Sequence, residues 1–277
     1  MNRKHNLIII GLALILTAVI AQAMQTASAA TSAPVLDRMV KKGEMVLGTA
    51  GSMPPLNLTT RDGQIAGMEI DIARKMAAVM GVKLRIKTMP FHELLPALEA
   101  GRVDIVMSGM TITGKRNLKF AFVGPYFISG KSVLTKLKTM ASIESTAQLN
   151  SPRTTLAALK GSTSQLFVES KAPKAKLITT KNYNEAIDLV LKGKVDALVA
   201  DYTICAVSVF RYPDQQLTTL TKPMTYEPIG IAVSANDPLL VNWIENFLTT
   251  MKGSGELEGL QNRWIKNASW LKLLPPR

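Results

Sequence analysis

The sequence predicts an α/β protein of two lobes. From Val35 onward, short apolar runs alternate with amphipathic helical patterns, which is typical of α/β architecture. Residues 101–109 and 193–201 share one pattern, in which Gly, a basic residue and Val lead to Asp and an apolar run. Unless this similarity is a coincidence between two generic helix–strand units, it indicates two lobes with one sheet each. The extended segments 131–136 and 228–234 would be the crossovers, and two crossovers make a hinge with a cleft that can close.

The remaining elements follow from their own patterns. Ile72, Met76 and Val79 form one apolar stripe, which predicts a helix that ends at Gly81. Alternating apolar and basic residues directly after Gly81 predict a half-buried strand. In chain order we expect strands at 44–49, 82–88, 103–107 and 154–159, and helices at 69–80, 91–100, 202–210, 238–251 and 255–264.

Residues 1–29 have the layout of a secretory signal peptide. A positive end at 3–5 precedes an apolar run over 7–20, and Ala-x-Ala cleavage patterns follow at 21–23 and 27–29. An uncleaved membrane anchor is the alternative, but the apolar run is shorter than the roughly 20 residues that a spanning helix needs. We therefore predict cleavage of the signal peptide and a periplasmic product.

Composition and charge exclude several classes of protein. Hydrophobic residues make up 47% of the 277 residues and charged ones 19%, which excludes a disordered chain. The single Cys205 excludes a disulfide framework, and with only two His we expect no metal site, no catalytic triad and no cofactor. The net charge of +13 is spread along the chain, so for an exported protein we expect no nucleic-acid partner.

Polar residues follow three predicted strands, at the carboxyl ends where α/β proteins bind ligands. In segment 108–116, Gly109 permits a close backbone approach, Thr111 offers a hydroxyl, and Arg116 offers a planar fork for a carboxylate. A capped helix with a solvated Arg explains this spacing equally well.

The other two places are a helix start and a strand end. Thr163 and Ser164 lie at a helix start, where N–H and hydroxyl groups suit an anion. Asp201 ends a strand and offers a carboxylate to an ammonium group. A Ser/Thr-capped turn and a plain helix N-cap are the simpler interpretations of these two places. Together, however, a guanidinium, a carboxylate and hydroxyls complement the zwitterion of an α-amino acid.

The chain resembles the periplasmic solute-binding proteins of polar amino-acid ABC transporters, family 3 of the bacterial extracellular solute-binding proteins. The resemblance covers roughly residues 35–270 and lies in 54–55, 67–72, 91–98, 101–104, 108–116, 122–126, 160–163 and 195–201. It implies the type II periplasmic-binding-protein fold. Lobe 1 would comprise 30–129 and 229–277, and lobe 2 would comprise 130–228.

The resemblance also implies a role for each candidate residue. Asp201 matches the acceptor of the ligand's α-ammonium, and Phe91 and Met53 match side chains that pack against the ligand. The groups that match the carboxylate site are the following: Arg116, Thr111, the backbone of Gly109, Thr163 and Ser164.

The function implied is that of a monomeric binding protein without catalytic activity, which closes on an amino acid and delivers it to a membrane ABC permease. Leu56 stands where many family members carry an aromatic residue. An apolar wall of Met53, Leu56, Met110 and Phe91 would favour an uncharged or hydrophobic amino acid.

An enzyme on the same scaffold is the alternative, because exported cyclohexadienyl dehydratases, which act on prephenate or arogenate, also resemble this family. Such an enzyme needs a general acid in the cleft. Glu93 and Glu169 lie near cleft-side segments, but neither belongs to a visible pair of acids. A sensor module that acts on a separate receptor kinase is a third possibility.

Overall fold

The computed structural model describes residues 33–143 and 145–276. The predicted signal peptide lies outside these residues. Within the described part of the chain, no helix is both long and apolar enough to cross a membrane.

The helices and strands alternate along the chain, as expected. The helices are α1 (Pro34–Lys42), α2 (Met68–Met80), α3 (Phe91–Glu99), α4 (Gly114–Asn117), α5 (Lys138–Ala141), α6 (Thr163–Lys171), α7 (Tyr183–Leu191), α8 (Tyr202–Arg211), α9 (Pro238–Gly253) and α10 (Glu256–Gln261). The strands are β1 (Glu44–Thr49), β2 (Ser52–Met53), β3 (Asn57–Thr59), β4 (Ile65–Ala66), β5 (Lys83–Thr88), β6 (Ile105–Val106), β7 (Phe120–Ser129), β8 (Lys131–Thr135), β9 (Thr155–Leu159), β10 (Lys176–Thr180), β11 (Ala197–Asp201), β12 (Thr218–Thr219) and β13 (Glu227–Ser234).

Two five-stranded mixed sheets form the centres of the two lobes. The first has the order β5-β1-β6-β13-β7 and the second the order β10-β9-β11-β8-β12. In the first sheet, β13 runs antiparallel to β6 and β7, and in the second, β8 runs antiparallel to β11 and β12. The two crossover segments predicted from the sequence are therefore real strands: β8 is the first strand after the chain leaves the first sheet, and β13 returns it.

The repeated sequence pattern corresponds to a repeated hydrogen-bond pattern. Asp104 Oδ2 accepts from the Val46 N–H at 2.7 Å, and the Asp104 N–H donates to the Val46 carbonyl at 2.9 Å. Asp196 makes the same two bonds to Thr155, also at 2.7 and 2.9 Å. Each Asp thus joins its strand to the neighbouring strand, a structural role on the side of the sheet where the strand begins.

Three elements differ from the sequence prediction. The strand predicted over 103–107 pairs only at Ile105 and Val106. The helix predicted over 255–264 ends at Gln261 and continues as a π-helical turn over 262–266. Strand β7 has no clear signal in the sequence, because Gly124 and Pro125 interrupt it, and its ladder with β13 changes register at this point.

Candidate functional site

The two lobes meet where the candidate residues lie. The hydroxyl of Thr111 from lobe 1 is 3.3 Å from the hydroxyl of Thr163 from lobe 2. Arg116 Nη2 donates to the Gly161 carbonyl at 3.3 Å. A β-carbon placed on Gly161 would lie 2.8 Å from the β-carbon of His92. The structure is therefore that of a closed cleft.

The short helix α4 positions Arg116. Thr113 caps this helix, and its hydroxyl accepts from the Arg116 N–H at 3.2 Å, as the sequence predicts. The guanidinium donates from Nη1 to the Thr111 carbonyl at 2.8 Å and lies over the Phe91 ring, 5.7 Å from its centroid. Lobe 1 thus supplies two contacts that orient the guanidinium, and lobe 2 adds the bond from Nη2 to the Gly161 carbonyl.

The charge of Arg116 persists in this setting. Burial lowers the pKa of Arg116 to about 10, while the carboxylates of Glu227 and Asp201 act to raise it. The guanidinium therefore stays protonated at neutral pH and can bind an anionic group.

A buried glutamate holds the loop that carries Gly109. Glu69 lies in the first turn of α2, and its Oε1 accepts from the Gly109 N–H at 2.7 Å and from the Tyr126 hydroxyl. Its Oε2 accepts from Asn57 Nδ2 at 2.6 Å. Burial raises the pKa of Glu69, while the three hydrogen bonds act to lower it. The Gly109 N–H is bonded to Glu69, so it is not available to a ligand carboxylate in this arrangement.

Gly109 instead serves the packing of the loop. It has a φ of 59°, and a β-carbon there would lie 2.6 Å from Met53 Cε. Met53, Phe91 and Met110 are buried in one apolar cluster that continues into lobe 2 at Tyr183. That Met53 and Phe91 contact a ligand remains a prediction.

In lobe 2, the hydroxyl of Thr163 reaches lobe 1, as does the backbone of Gly161 in the same turn. The N-cap of α6 is Ser162, whose hydroxyl accepts from the Gln165 N–H at 3.2 Å. Ser164 is completely buried within lobe 2. The structure thus brings Thr163, but not Ser164, next to Thr111.

Asp201 is engaged by Lys131, a residue that the sequence alone does not single out. Asp201 is the N-cap residue of α8, but its side chain makes no capping hydrogen bond. Asp201 Oδ1 instead lies 2.6 Å from Nζ of Lys131, and the same Nζ lies 3.4 Å from Glu227 Oε2. The site therefore holds two carboxylates and a lysine beside the guanidinium of Arg116.

Glu227 lies where the chain returns to lobe 1, and it too is missing from the residues predicted from sequence. It begins β13 in the first sheet, while its Oε2 accepts from the Thr163 hydroxyl of lobe 2 at 3.1 Å. Its Oε1 accepts from the Thr225 hydroxyl at 3.1 Å. Lys131 and Glu227 are the charged first residues of β8 and β13, but no local pattern in the sequence indicates that they meet.

Comparison with known proteins defines the class to which this fold and site belong. The model of the bacterial extracellular solute-binding proteins, family 3, matches residues 45–267, and the chain belongs to this family. Its two sheets with two crossovers are the type II fold of amino-acid-binding proteins.

Individual relatives are named for different ligands or activities. The glutamine-binding protein GlnH of a Bacillus subtilis ABC transporter is 35% identical over 207 residues, which are 74% of either chain. A binding component of an ABC transporter from Wolinella succinogenes, solved with lysine, is 34% identical with a TM-score of 0.78, over 83% of this chain and 99% of that one. Cyclohexadienyl dehydratase of Pseudomonas aeruginosa is 23% identical over 231 residues, covering 83% of this chain and 86% of the enzyme.

Proposed function

We propose that this protein is exported to the periplasm, captures an α-amino acid between its lobes, and delivers it as a monomer to the permease of an ABC transporter. The main support is the convergence of Arg116 and Thr111 from lobe 1 with Thr163 and Asp201 from lobe 2. Opposite charges in one cleft complement a zwitterion. The relatives named for glutamine and lysine support the same class of ligand.

The lobe boundaries of the proposal are those given by the sequence, with crossings near 129–130 and 228–229. The bond from Arg116 to the Thr111 carbonyl and its contact with the Phe91 ring lie within lobe 1, so the open form would already present the guanidinium to the ligand's carboxylate. Closure would then add Thr163 and Asp201. Contacts made only in the closed form shift the balance toward closure, and a permease can recognise that form.

The dehydratase remains the competing function, since a relative bears that name. The two acids considered from the sequence lie at the surface: Glu93 is half exposed, and Glu169 accepts from Gln165 at 2.8 Å on an exposed face of α6. Asp201 and Glu227, the buried carboxylates of the cleft, are ion-paired with Lys131. This pairing favours binding over proton delivery.

The first test is substitution of Arg116. We expect Arg116→Ala to weaken the tightest-binding amino acid by about 2–5 kcal/mol, measured by calorimetry, because a charged clamp in a desolvated cleft is removed. Arg116→Lys should recover only part of the loss, since the bidentate fork is missing. Arg85→Ala, which removes an exposed arginine 3.5 Å from Glu44, is the control.

Two results would contradict the proposal. Unchanged affinity in Arg116→Ala would remove this residue from the site. Turnover of prephenate or arogenate by the purified wild-type protein, with no amino acid bound in calorimetry or thermal-shift screening, would favour the dehydratase.

A further inference from the structure

We propose that Lys131 restricts the cleft to amino acids with uncharged side chains, an inference that rests on the function proposed above. Lys131 is the first residue of β8 and lies opposite Asp201 in the antiparallel register of β8 and β11. Its side chain is 1% exposed. Lysine is almost never buried to this degree unless it is paired, and here it contacts Asp201 and Glu227.

The carboxylates around Lys131 are held in place by neutral groups. Thr163 and Thr225 donate their hydroxyls to the two oxygens of Glu227, each at 3.1 Å. The Thr225 hydroxyl also accepts from the Lys131 N–H at 2.9 Å. Glu227 therefore cannot turn away from the cluster without losing both of these hydrogen bonds, so we count its charge as part of the site.

The cluster of Asp201, Glu227 and Lys131 carries a net negative charge that one further cation would neutralise. Asp201 and Glu227 together carry two negative charges, and Lys131 neutralises one of them. One net negative charge remains on this cluster, where we place the α-ammonium, and the neighbouring guanidinium of Arg116 is left for the α-carboxylate. A zwitterion with an uncharged side chain balances both sides.

A charged side chain on the ligand would disturb this balance. The side chain of arginine or lysine would bring a second cation to a cluster that already contains Lys131, and that of glutamate a third anion. Either charge would be buried without a partner, which is strongly unfavourable. An uncharged side chain would instead meet the buried apolar surface of Met53, Phe91 and Met110.

The test compares wild type with Lys131→Gln by calorimetry against glutamine, leucine, arginine, lysine and glutamate. We expect wild type to bind an uncharged amino acid most tightly. Lys131→Gln exposes the second negative charge to the ligand, so the ratio of the dissociation constants for glutamine and arginine should move at least about tenfold toward arginine. The control is Lys136→Gln, since Lys136 lies in the same lobe and donates to the Leu191 carbonyl at 2.8 Å; its ratio should equal that of wild type.

A double variant separates charge from shape. Lys131→Gln with Glu227→Gln returns the cluster to one net negative charge, so we expect selectivity to return to that of wild type. A double variant that retains the arginine preference would overturn the inference, as would a single variant with unchanged selectivity. If Lys131→Gln does not fold, the double variant and wild type still test the inference. A preference for arginine or lysine in either protein would contradict a cluster with one net negative charge.

The ligand preference of the wild-type protein distinguishes the role of Lys131 from the amino-acid-binding function. Wild-type protein that prefers arginine, lysine or glutamate to every uncharged amino acid would overturn the role of Lys131 and leave the amino-acid-binding function intact. Wild-type protein that binds no amino acid would overturn both.

Discussion

Asp201 offers its carboxylate to two ammonium groups, one from Lys131 and one from the proposed ligand. Only Oδ1 is needed for the bond to Lys131. A carboxylate has about four acceptor positions, so the second oxygen can receive a ligand's ammonium without displacing the lysine. Asp201 can therefore belong both to the architecture of lobe 2 and to the binding site.

Asp201→Asn tests this double role. The amide removes one negative charge, so we expect amino acids to lose affinity by about 2 kcal/mol, the contribution of a hydrogen bond to a charged group. Carboxylic acids that lack the α-ammonium should lose much less. Competition calorimetry with matched pairs of an amino acid and its deaminated analogue measures the difference. Asp188→Asn, which changes an exposed i,i+4 pair with Lys192, is the control. Equal losses for both members of a pair would exclude the ammonium contact.

The single residues of the site show which features can be predicted from sequence. Arg116, Thr111 and Asp201 can be found because each follows a recognisable strand, and the ends of such strands converge. Lys131 and Glu227 cannot be assigned, because their contact depends on the register of β8 against β11 and on where β13 returns. Register is a property of the folded sheets and leaves no local pattern.

The start of α2 is an element whose stability should depend on pH. Glu69 is completely buried there, and burial raises its pKa above the ordinary value of 4.5. For an acid whose pKa is raised by folding, the folded state binds the proton more tightly than the unfolded state. The stabilisation that protonated Glu69 contributes is complete at pH values below its pKa in the unfolded state. It is lost as the pH rises through its pKa in the folded state.

Glu69→Gln should remove this dependence. Among the described residues, Asn57 Oδ1 has no hydrogen-bond partner, so a rotated Asn57 amide can accept from the N–H of the introduced glutamine while Gly109 and Tyr126 keep their acceptor. We expect the free energy of unfolding of wild type, relative to the variant, to increase as the pH falls from neutral toward 4.5, the ordinary pKa of the carboxyl. Urea unfolding of both proteins across this range measures the difference. A difference that is constant, or that decreases on acidification, would contradict the prediction.

Elements with strong local signals can be predicted closely, and those set by distant contacts cannot. Strand β1 has the predicted bounds, and α2 differs by one residue, because alternation, an apolar stripe and a terminal glycine are local features. Strand β7 contains Gly124 and Pro125 and exists because β13 pairs along it. The π-helical turn after α10 likewise depends on the packing of Trp264, which is buried and bonded to Asp71 at 2.8 Å.

Closure of the whole molecule depends on how closely two backbone segments approach. Gly161 of lobe 2 faces the start of α3 in lobe 1, where an added β-carbon would lie 2.8 Å from His92 Cβ and 3.2 Å from its α-carbon. Real β-carbons essentially never approach another atom to 2.8 Å, and a contact of 3.2 Å is already tight. A side chain at position 161 therefore opposes the closed form but not the open one, whose lobes are apart.

Gly161→Ala should weaken the ligand by shifting the hinge equilibrium. Because only the closed form is penalised, we expect the dissociation constant of the best amino acid to rise by about tenfold, equal to about 1.4 kcal/mol, mainly through faster dissociation. Small-angle scattering of the saturated variant should show a larger radius of gyration than that of saturated wild type.

Gly193→Ala is the matched control, because it separates closure from backbone strain. Gly193 has a φ of 63° against 75° for Gly161, so alanine introduces similar left-handed strain at both positions, yet nothing lies within 4 Å of an added β-carbon at 193. We expect this variant to lose some stability in urea and to keep wild-type affinity and dimensions. If both variants weaken binding equally, strain within lobe 2 would be the cause, and closure against His92 would not limit the affinity.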